Sequence, residues 1–390
     1  MTAAGAPPRG FAVDEFRERT ARAQRLMASR GLAGLLLLTE PEVRYFSGFL
    51  TQFWQSPTRP WFLIVPAAGD PVAVIPAIGA EAMSRTWVRD IRTWPAPTPD
   101  DEGISLLSDT IREILAPGPV GLPMGPETSL RMPLNDFKKL GRTLDGHDFV
   151  DAGEIVRTLR MVKSEAEIDK VRFACQAVSG VFERLPELLH SGMADSDVFR
   201  TFKIACLEAG VDDVSYLVGG AGPGGYSDII SPPSGRVLQD GDVLILDTGC
   251  MFDGYFCDFD RNYAIGRIDD EARRAHDVVW RATEAGLQVA RPGARACDVW
   301  RAMQDVLTAG GALGNDVGRM GHGLGMQLTE WPSNMGSDET VLEDRMILTL
   351  EPGMTFAPGR VMVHEEDIVI REHGPELLTR RAPNEMPVIG

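Results

Sequence analysis

The chain has 390 residues, 44% hydrophobic and 24% charged, an ordinary globular composition with length for about two to three domains. Its formal net charge of −17 argues against a nucleic-acid or anionic-membrane partner. The five cysteines, Cys175, Cys206, Cys250, Cys257 and Cys297, contain no C-x-x-C pair, which fits a reducing cytoplasm.

Residues 1–10 are small and Pro-rich and lack the apolar stretch of a leader. The apolar run at 34–38 is too short to span a bilayer. Residues 11–30 carry a helical rhythm, with Phe16, Ala23, Leu26 and Met27 on one stripe and Gly31 as the stop. Residues 33–38, 61–65 and 72–75 read as buried strands. This alternation predicts a small α/β domain. A long amphipathic helix follows at 165–185, with Ile168, Val171, Ala174 and Val178 inward and Pro186 ending or kinking it. Asp195 reads as the N-cap of the next helix, and helices are expected at 271–290 and 297–309. The glycine-rich run 219–225 lacks the Lys-Ser/Thr of a phosphate loop and reads as a loop passing close to a site.

The chemistry concentrates in short stretches of the C-terminal half. Val243 to Leu246 is an apolar run that reads as a buried strand delivering Asp247. Asp253-Gly254 signals a hairpin, so an antiparallel return brings Asp258 close to Asp247. Two carboxylates converging in a core call for a cation. His322 sits in Gly321-His322-Gly323-Leu324-Gly325. Glu351 ends an apolar strand before Pro352-Gly353, and His364-Glu365-Glu366-Asp367 enters the last strand.

With Asp247, Asp258, His322, Glu351 and Glu366 in that order, the chain resembles the pita-bread metallopeptidases: aminopeptidase P, prolidase, methionine aminopeptidase and their relative creatinase. Arg160-Met161-Val162-Lys163-Ser164-Glu165 and Tyr45-Phe46-Ser47-Gly48-Phe49 are similar to further segments of that family. The resemblance implies an α+β chain of two domains. Residues 1–157 would form a small α/β creatinase-like domain, and residues 158–390 a catalytic pita-bread domain with a curved antiparallel sheet. The five residues would hold two divalent ions, with Mn, Fe, Co or Zn all suited to oxygen-rich ligation with one nitrogen. Glu351 would also pass a proton, while Asp367 and Arg261 would orient ligands or form a surface ion pair.

The surroundings depart from the family. Ile230 and Thr329 stand where its peptidases carry histidines, Gly318 replaces another, and His364 falls where an arginine is usual. His364 is then the expected proton carrier, with Asp228 and Glu330 as further titratable groups, and Asp228, Ile230 and Thr329 as the expected substrate contacts. The leading expectation is a cytoplasmic, metal-dependent hydrolase of the Xaa-Pro peptidase type, acting on a dipeptide or small amide. The altered surroundings predict weak action on ordinary Xaa-Pro dipeptides. The alternative is a family relative that hydrolyses a small amidine or lactam, or a lyase acting on dimethylsulfoniopropionate. The resemblance also implies a homodimer in which Trp54 and Arg59-Pro60-Trp61 border the partner's pocket; packing of those tryptophans in the local core is the other reading.

Overall fold

The structure is a computed structural model that describes residues 5–56, 59–314 and 318–390. The reading of residues 1–10 lies partly outside them. Contacts divide the chain into two units, Pro8–Arg160 and Met161–Gly390.

The first unit is built on a six-stranded mixed sheet. Its strands are β1 (Gly34–Leu37), β2 (Phe62–Pro66), β3 (Val72–Pro76), β4 (Asp90–Trp94), β5 (Val120–Leu122) and β6 (Phe149–Asp151), in the order β4-β3-β2-β1-β5-β6. The first three are short, fully buried apolar runs, as expected for strands covered on both faces. The first helix spans Val13–Arg30 and ends at Gly31, whose φ of 64° an L side chain rarely adopts. Trp54 and Trp61 are buried within this unit, their ring centroids 5.8 Å apart, and Phe49 packs against both. These aromatics therefore form a local core cluster.

The second unit carries two antiparallel systems. In the first, β7 (Asp213–Pro223), β8 (Asp242–Phe252), β9 (Tyr255–Phe256) and β10 (Phe259–Ile265) are antiparallel neighbours around β8. The Asp253-Gly254 turn has φ of 45° and 68°, the paired positive values of a tight hairpin that suits strand twist. In the second, β11 (His322–Gly323), β12 (Glu330–Ser333), β13 (Ile347–Leu350), β16 (Glu366–Arg371) and β17 (Gly374–Leu377) run in the order β12-β11-β13-β16-β17. The hairpin of β14 (Gly353–Ala357) and β15 (Arg360–Val363) connects its parts, and β18 (Val388–Ile389) pairs with β10.

The long helix runs Glu165–Leu188 and ends two residues after Pro186, whose missing N–H removes only a last-turn hydrogen bond. Two local expectations are corrected. Ala194, not Asp195, is the N-cap of Asp195–Ala209; the Asp195 carboxylate instead accepts from the backbone of Ser234 and Gly235 at 2.9 and 2.7 Å. The glycine-rich run is largely strand: Gly219 pairs with Leu246, and Gly220 with Ile245. Glycine is required there by close approach, since a Cβ on Gly219 would lie 2.2 Å from the Ile245 carbonyl oxygen.

Among the described residues no helix is long and apolar enough to cross a membrane.

Candidate metal centre

Strand β8 is buried along Asp242–Leu246 and delivers Asp247 at the end of that apolar run. In the antiparallel return, Phe259 pairs with Thr248 and Asp260 with Asp247. Asp258 thus sits just before β10 and close to Asp247. From the second sheet, β11 brings His322, and the end of β13 brings Glu351. Gly321 lets this strand approach its neighbour: it has φ of 116°, and a Cβ there would lie 2.1 Å from the Thr349 carbonyl oxygen.

Asp247, Asp258, His322, Glu351 and Glu365 line one cavity of about 790 Å³. His322 Nε2 lies 3.5 Å from Asp258 Oδ2. One ligand atom each of Asp258, His322 and Glu365 lies within 4.8 Å of the others. Burial pushes Asp247 up to about 7. Burial and then Asp247 push Glu351 up to about 8. Asp258 and Glu365 are raised well above the usual carboxylate range, first by burial and then by Asp247 and Glu351 respectively. Burial pushes His322 down to about 4, so its imidazole is neutral at pH 7.

These residues fit divalent metal. The His322 Nδ1 faces the Gly323 carbonyl oxygen at 2.9 Å; a carbonyl only accepts, so Nδ1 carries the hydrogen and Nε2 is a bare donor to metal. Asp247 Oδ1 and Glu365 Oε1 are buried and have no hydrogen-bond partner among the described residues. Acceptor atoms crowded together in a core are stable only around a cation or with added protons.

The structure corrects Glu366. Leu350 pairs with Glu366 across β13 and β16. Successive residues of a strand project to opposite faces, so Glu366 shares the face of Leu350 while its chain neighbour Glu365 lines the cavity with Glu351. Glu366 is held away from the cavity by Arg261 Nη2 at 2.9 Å, by the Ala382 amide at 2.9 Å and by the Thr379 hydroxyl. With Glu365 as the ligand, the position two residues earlier is Val363, a buried apolar residue.

His364 is corrected as well. It is 1% exposed, and its Nδ1 lies 2.9 Å from Thr283 Oγ1. It lines a separate cavity of about 220 Å³ with His276, Arg261 and Arg381, and does not reach the metal-centre cavity. Glu330 also turns away, into a buried pair with Lys163 at 2.8 Å.

The three expected substrate contacts, Asp228, Ile230 and Thr329, do line the metal-centre cavity. Ile230 is 75% exposed, so it sits at the rim. Asp228 accepts from the Ile230 amide at 3.0 Å and from the Ser231 hydroxyl, and that hydroxyl holds its carboxyl below the usual range. Thr329 Oγ1 accepts from Arg319 Nη2 at 3.4 Å.

Two orienting residues take defined places. Asp367 Oδ2 accepts from the Asp258 amide at 2.9 Å and from Cys175 Sγ at 3.2 Å, fixing the backbone that carries Asp258. Arg261 Nη1 donates to the Glu365 carbonyl at 2.8 Å, so it positions that ligand's backbone while binding the side chain of Glu366. Neither contact is a surface ion pair. Arg319 and Tyr216 also line the cavity, and sequence reading missed both. The signal for Arg319 was its place three residues before His322; Tyr216 carried none.

Comparisons with known proteins agree with this geometry. The sequence profile of metallopeptidase family M24 matches residues 169–372, and that of the creatinase/prolidase N-terminal domain matches residues 19–162. A probable dipeptidase, PepE, of Mycobacterium tuberculosis is 31% identical over 383 residues, 98% of each chain. The crystal structure of dipeptidase PepE from Mycobacterium ulcerans superposes with a TM-score of 0.84 at 29% identity, covering 97% of this chain and 99% of that one. A prolidase from Thermococcus sibiricus shares the fold, with a TM-score of 0.85 at 24% identity over 97% of this chain and 100% of its own.

Proposed function

We propose that this chain, which belongs to metallopeptidase family M24 and is a metal-dependent hydrolase, is a cytoplasmic dipeptidase of the Xaa-Pro type that uses two divalent ions. The observation that carries this reading is the convergence of four carboxylates, Asp258 and Glu365 buried and Asp247 and Glu351 half-buried, and one bare imidazole nitrogen on a single cavity. Asp247, Asp258, His322, Glu351 and Glu365 would hold the ions, four negative charges against four positive ones. Mn, Fe, Co and Zn all suit this donor set. When bound, the ions supply Lewis acidity to a peptide carbonyl and activate water at neutral pH.

The remaining chemistry belongs to the side chains. Glu351, at the end of β13 on the cavity wall, is the group placed to accept and return a proton. Asp228, at the rim, is placed to meet a substrate ammonium. The names of the relatives favour dipeptide substrates over the amidine, lactam and betaine alternatives. A homodimer is part of the proposal, carried over from the family resemblance.

The test is an activity screen on metal-reconstituted protein, with Xaa-Pro dipeptides, other dipeptides, small amides and betaines. Dipeptide hydrolysis that disappears on chelation and returns with metal is the expected result. Turnover of a betaine or amide with every dipeptide untouched overturns the reading.

A further inference from the structure

The second cavity, of about 220 Å³, lies in the same unit as the metal centre and shares no lining residue with it. Its wall takes Phe182 and Pro186 from the helix Glu165–Leu188 and His276 from the helix Asp270–Val289. His364, just before β16, and Arg381 and Pro383 of the C-terminal segment complete it. Three buried polar atoms on this wall have no hydrogen-bond partner among the described residues: His276 Nδ1, His364 Nε2 and Arg381 Nη1. The two histidines are 3% and 1% exposed, with ring centroids 6.4 Å apart. His276 Nε2 faces the Pro383 carbonyl oxygen at 3.3 Å. A carbonyl only accepts, so Nε2 carries the hydrogen and Nδ1 is a bare acceptor. Burial holds His276 below its ordinary pKa, so the ring is neutral at pH 7.

The guanidiniums around the cavity differ in how far they are used. Arg380 binds Glu183 at 2.6 Å and Gln176 at 3.1 Å. Arg261 binds Glu366 and the carbonyls of Asp260, Glu365 and Arg380. Arg381 donates from Nη2 to the Trp280 carbonyl at 3.0 Å. Its Nη1 stands 3.5 Å from Glu366 Oε1, an oxygen that already accepts from the Ala382 amide at 2.9 Å. Glu366 is thus shared by two guanidiniums, and Glu284, 3.9 Å from Arg381, is 44% exposed. Arg381 keeps an unspent donor and an under-compensated charge. His364 Nε2 stands 3.6 Å from the same Glu366 oxygen, so a cationic donor and an imidazole nitrogen sit side by side.

A ligand that completes this wall carries an anionic acceptor and a cationic donor close together, on an apolar body that covers Phe182 and the prolines. An α-amino acid has its carboxylate and ammonium on one carbon. Water alone would meet the polar atoms but not the apolar wall, since each buried water needs about two to four polar partners. Size agrees. A cavity of about 150 Å³ holds benzene, so one of about 220 Å³ holds a molecule about half as large again, such as leucine or proline, and is too small for a dipeptide.

We propose that this cavity binds a free α-amino acid with an apolar side chain, its carboxylate on Arg381 and its ammonium on the bare nitrogen of His276. Dipeptide hydrolysis releases such amino acids, so under the dipeptidase reading above, on which this step rests, the cavity is a product-sensing site. Arg261 is the link to the metal centre: it lines the cavity and donates to the Glu365 carbonyl at 2.8 Å.

The experiment uses the full, metal-loaded chain. L-leucine, L-leucinamide without the carboxylate and isocaproate without the ammonium are titrated calorimetrically into the unchanged protein and three variants. Ala382→Phe fills the cavity, Arg381→Gln removes its charge, and His322→Ala disables the metal centre instead. Leucine should bind the unchanged protein and His322→Ala equally tightly, whereas leucine held at the metals would be lost in His322→Ala. Leucinamide and isocaproate should each bind about 10–100-fold more weakly, the scale of one charged hydrogen-bonded contact. Ala382→Phe should abolish the binding, and Arg381→Gln should bring leucine down to the level of leucinamide. Circular dichroism identifies any variant that fails to fold, and the ranking of the three ligands in the unchanged protein tests the idea without a cavity variant. Equal binding of all three ligands, loss of leucine binding in His322→Ala, or undiminished binding in a folded Ala382→Phe overturns the site. Dipeptide turnover of the unchanged protein is assayed separately: leucine binding without it keeps the site and removes the product role together with the peptidase reading.

Discussion

His322 and Asp258 face each other with acceptor atoms, Nε2 to Oδ2 at 3.5 Å, because the Nδ1 hydrogen of His322 is committed to the Gly323 carbonyl. Two lone-pair-bearing atoms buried in this arrangement repel unless a cation lies between them or a proton is taken up. His322→Ala should therefore lose at least one ion per chain by elemental analysis. Loss of an outer-shell partner costs about 10–100-fold in affinity or activity, so loss of this ligand should cost more than about 100-fold in turnover. Full metal content in His322→Ala would remove the imidazole from the ligand set.

Glu365 and Glu366 are adjacent, yet they should behave differently. Glu365→Gln should lower metal content, with little change in the stability of the metal-free protein. Glu366→Gln removes the partner of Arg261, a pair with side chains only 8% and 0% exposed. Breaking a buried pair costs about 3–5 kcal/mol, so this variant should unfold at lower denaturant while its folded fraction still binds metal. Denaturant titration beside metal analysis separates the two; metal loss in Glu366→Gln alone would restore it as a ligand.

The metal-free protein should weaken as pH rises. Asp247 and Glu351 are raised to about 7 and about 8 in the folded chain, against values near 4 when unfolded. A carboxyl raised on folding contributes stability that is present in full below its unfolded value and is lost as pH passes its folded value. Stability with chelator should then fall between about pH 4 and pH 8, and saturating divalent metal should remove the fall. Unfolding curves at pH 5 and pH 8, with and without chelator, check this. A chelated protein that is more stable at pH 8 would contradict the burial of these groups.

The elements that carry the centre were legible because each is an apolar run broken by a carboxylate, as at Val243–Asp247 and Ile347–Glu351. The hairpin was legible in Asp253-Gly254, since few residues tolerate two positive φ values in succession. What was not legible was the face. In His364-Glu365-Glu366-Asp367 every face of the strand receives an ionisable group, and only the pairing of Leu350 with Glu366 decides which one enters the cavity. His364 was misplaced for the same reason. The run 219–225 misled because glycine signals a turn and a close strand approach equally well. Arg261 and Asp367 were found as orienting groups, but what each one holds is a long-range contact with no local signature.

Lys163 offers a test of how the chain's lead-in segment supports the cavity wall. Its Nζ lies 2.8 Å from Glu330 Oε2, with side chains 1% and 6% exposed. Glu330 directly follows Thr329, which lines the cavity, and its other oxygen accepts from the Gln327 amide at 3.1 Å. The pair thus ties the start of the catalytic unit to the segment beside Arg319. Removing the ammonium takes away the charge that balances Glu330 in the core, so Lys163→Met should destabilise by about 3–5 kcal/mol. Replacing both partners with apolar side chains removes that charge, and such replacements are often neutral or stabilising. Lys163→Met with Glu330→Met should therefore recover most of the lost stability, measured as denaturant midpoints at constant slope. A double variant as unstable as Lys163→Met would show that the cost comes from lost packing around Lys163 instead of from the stranded carboxylate.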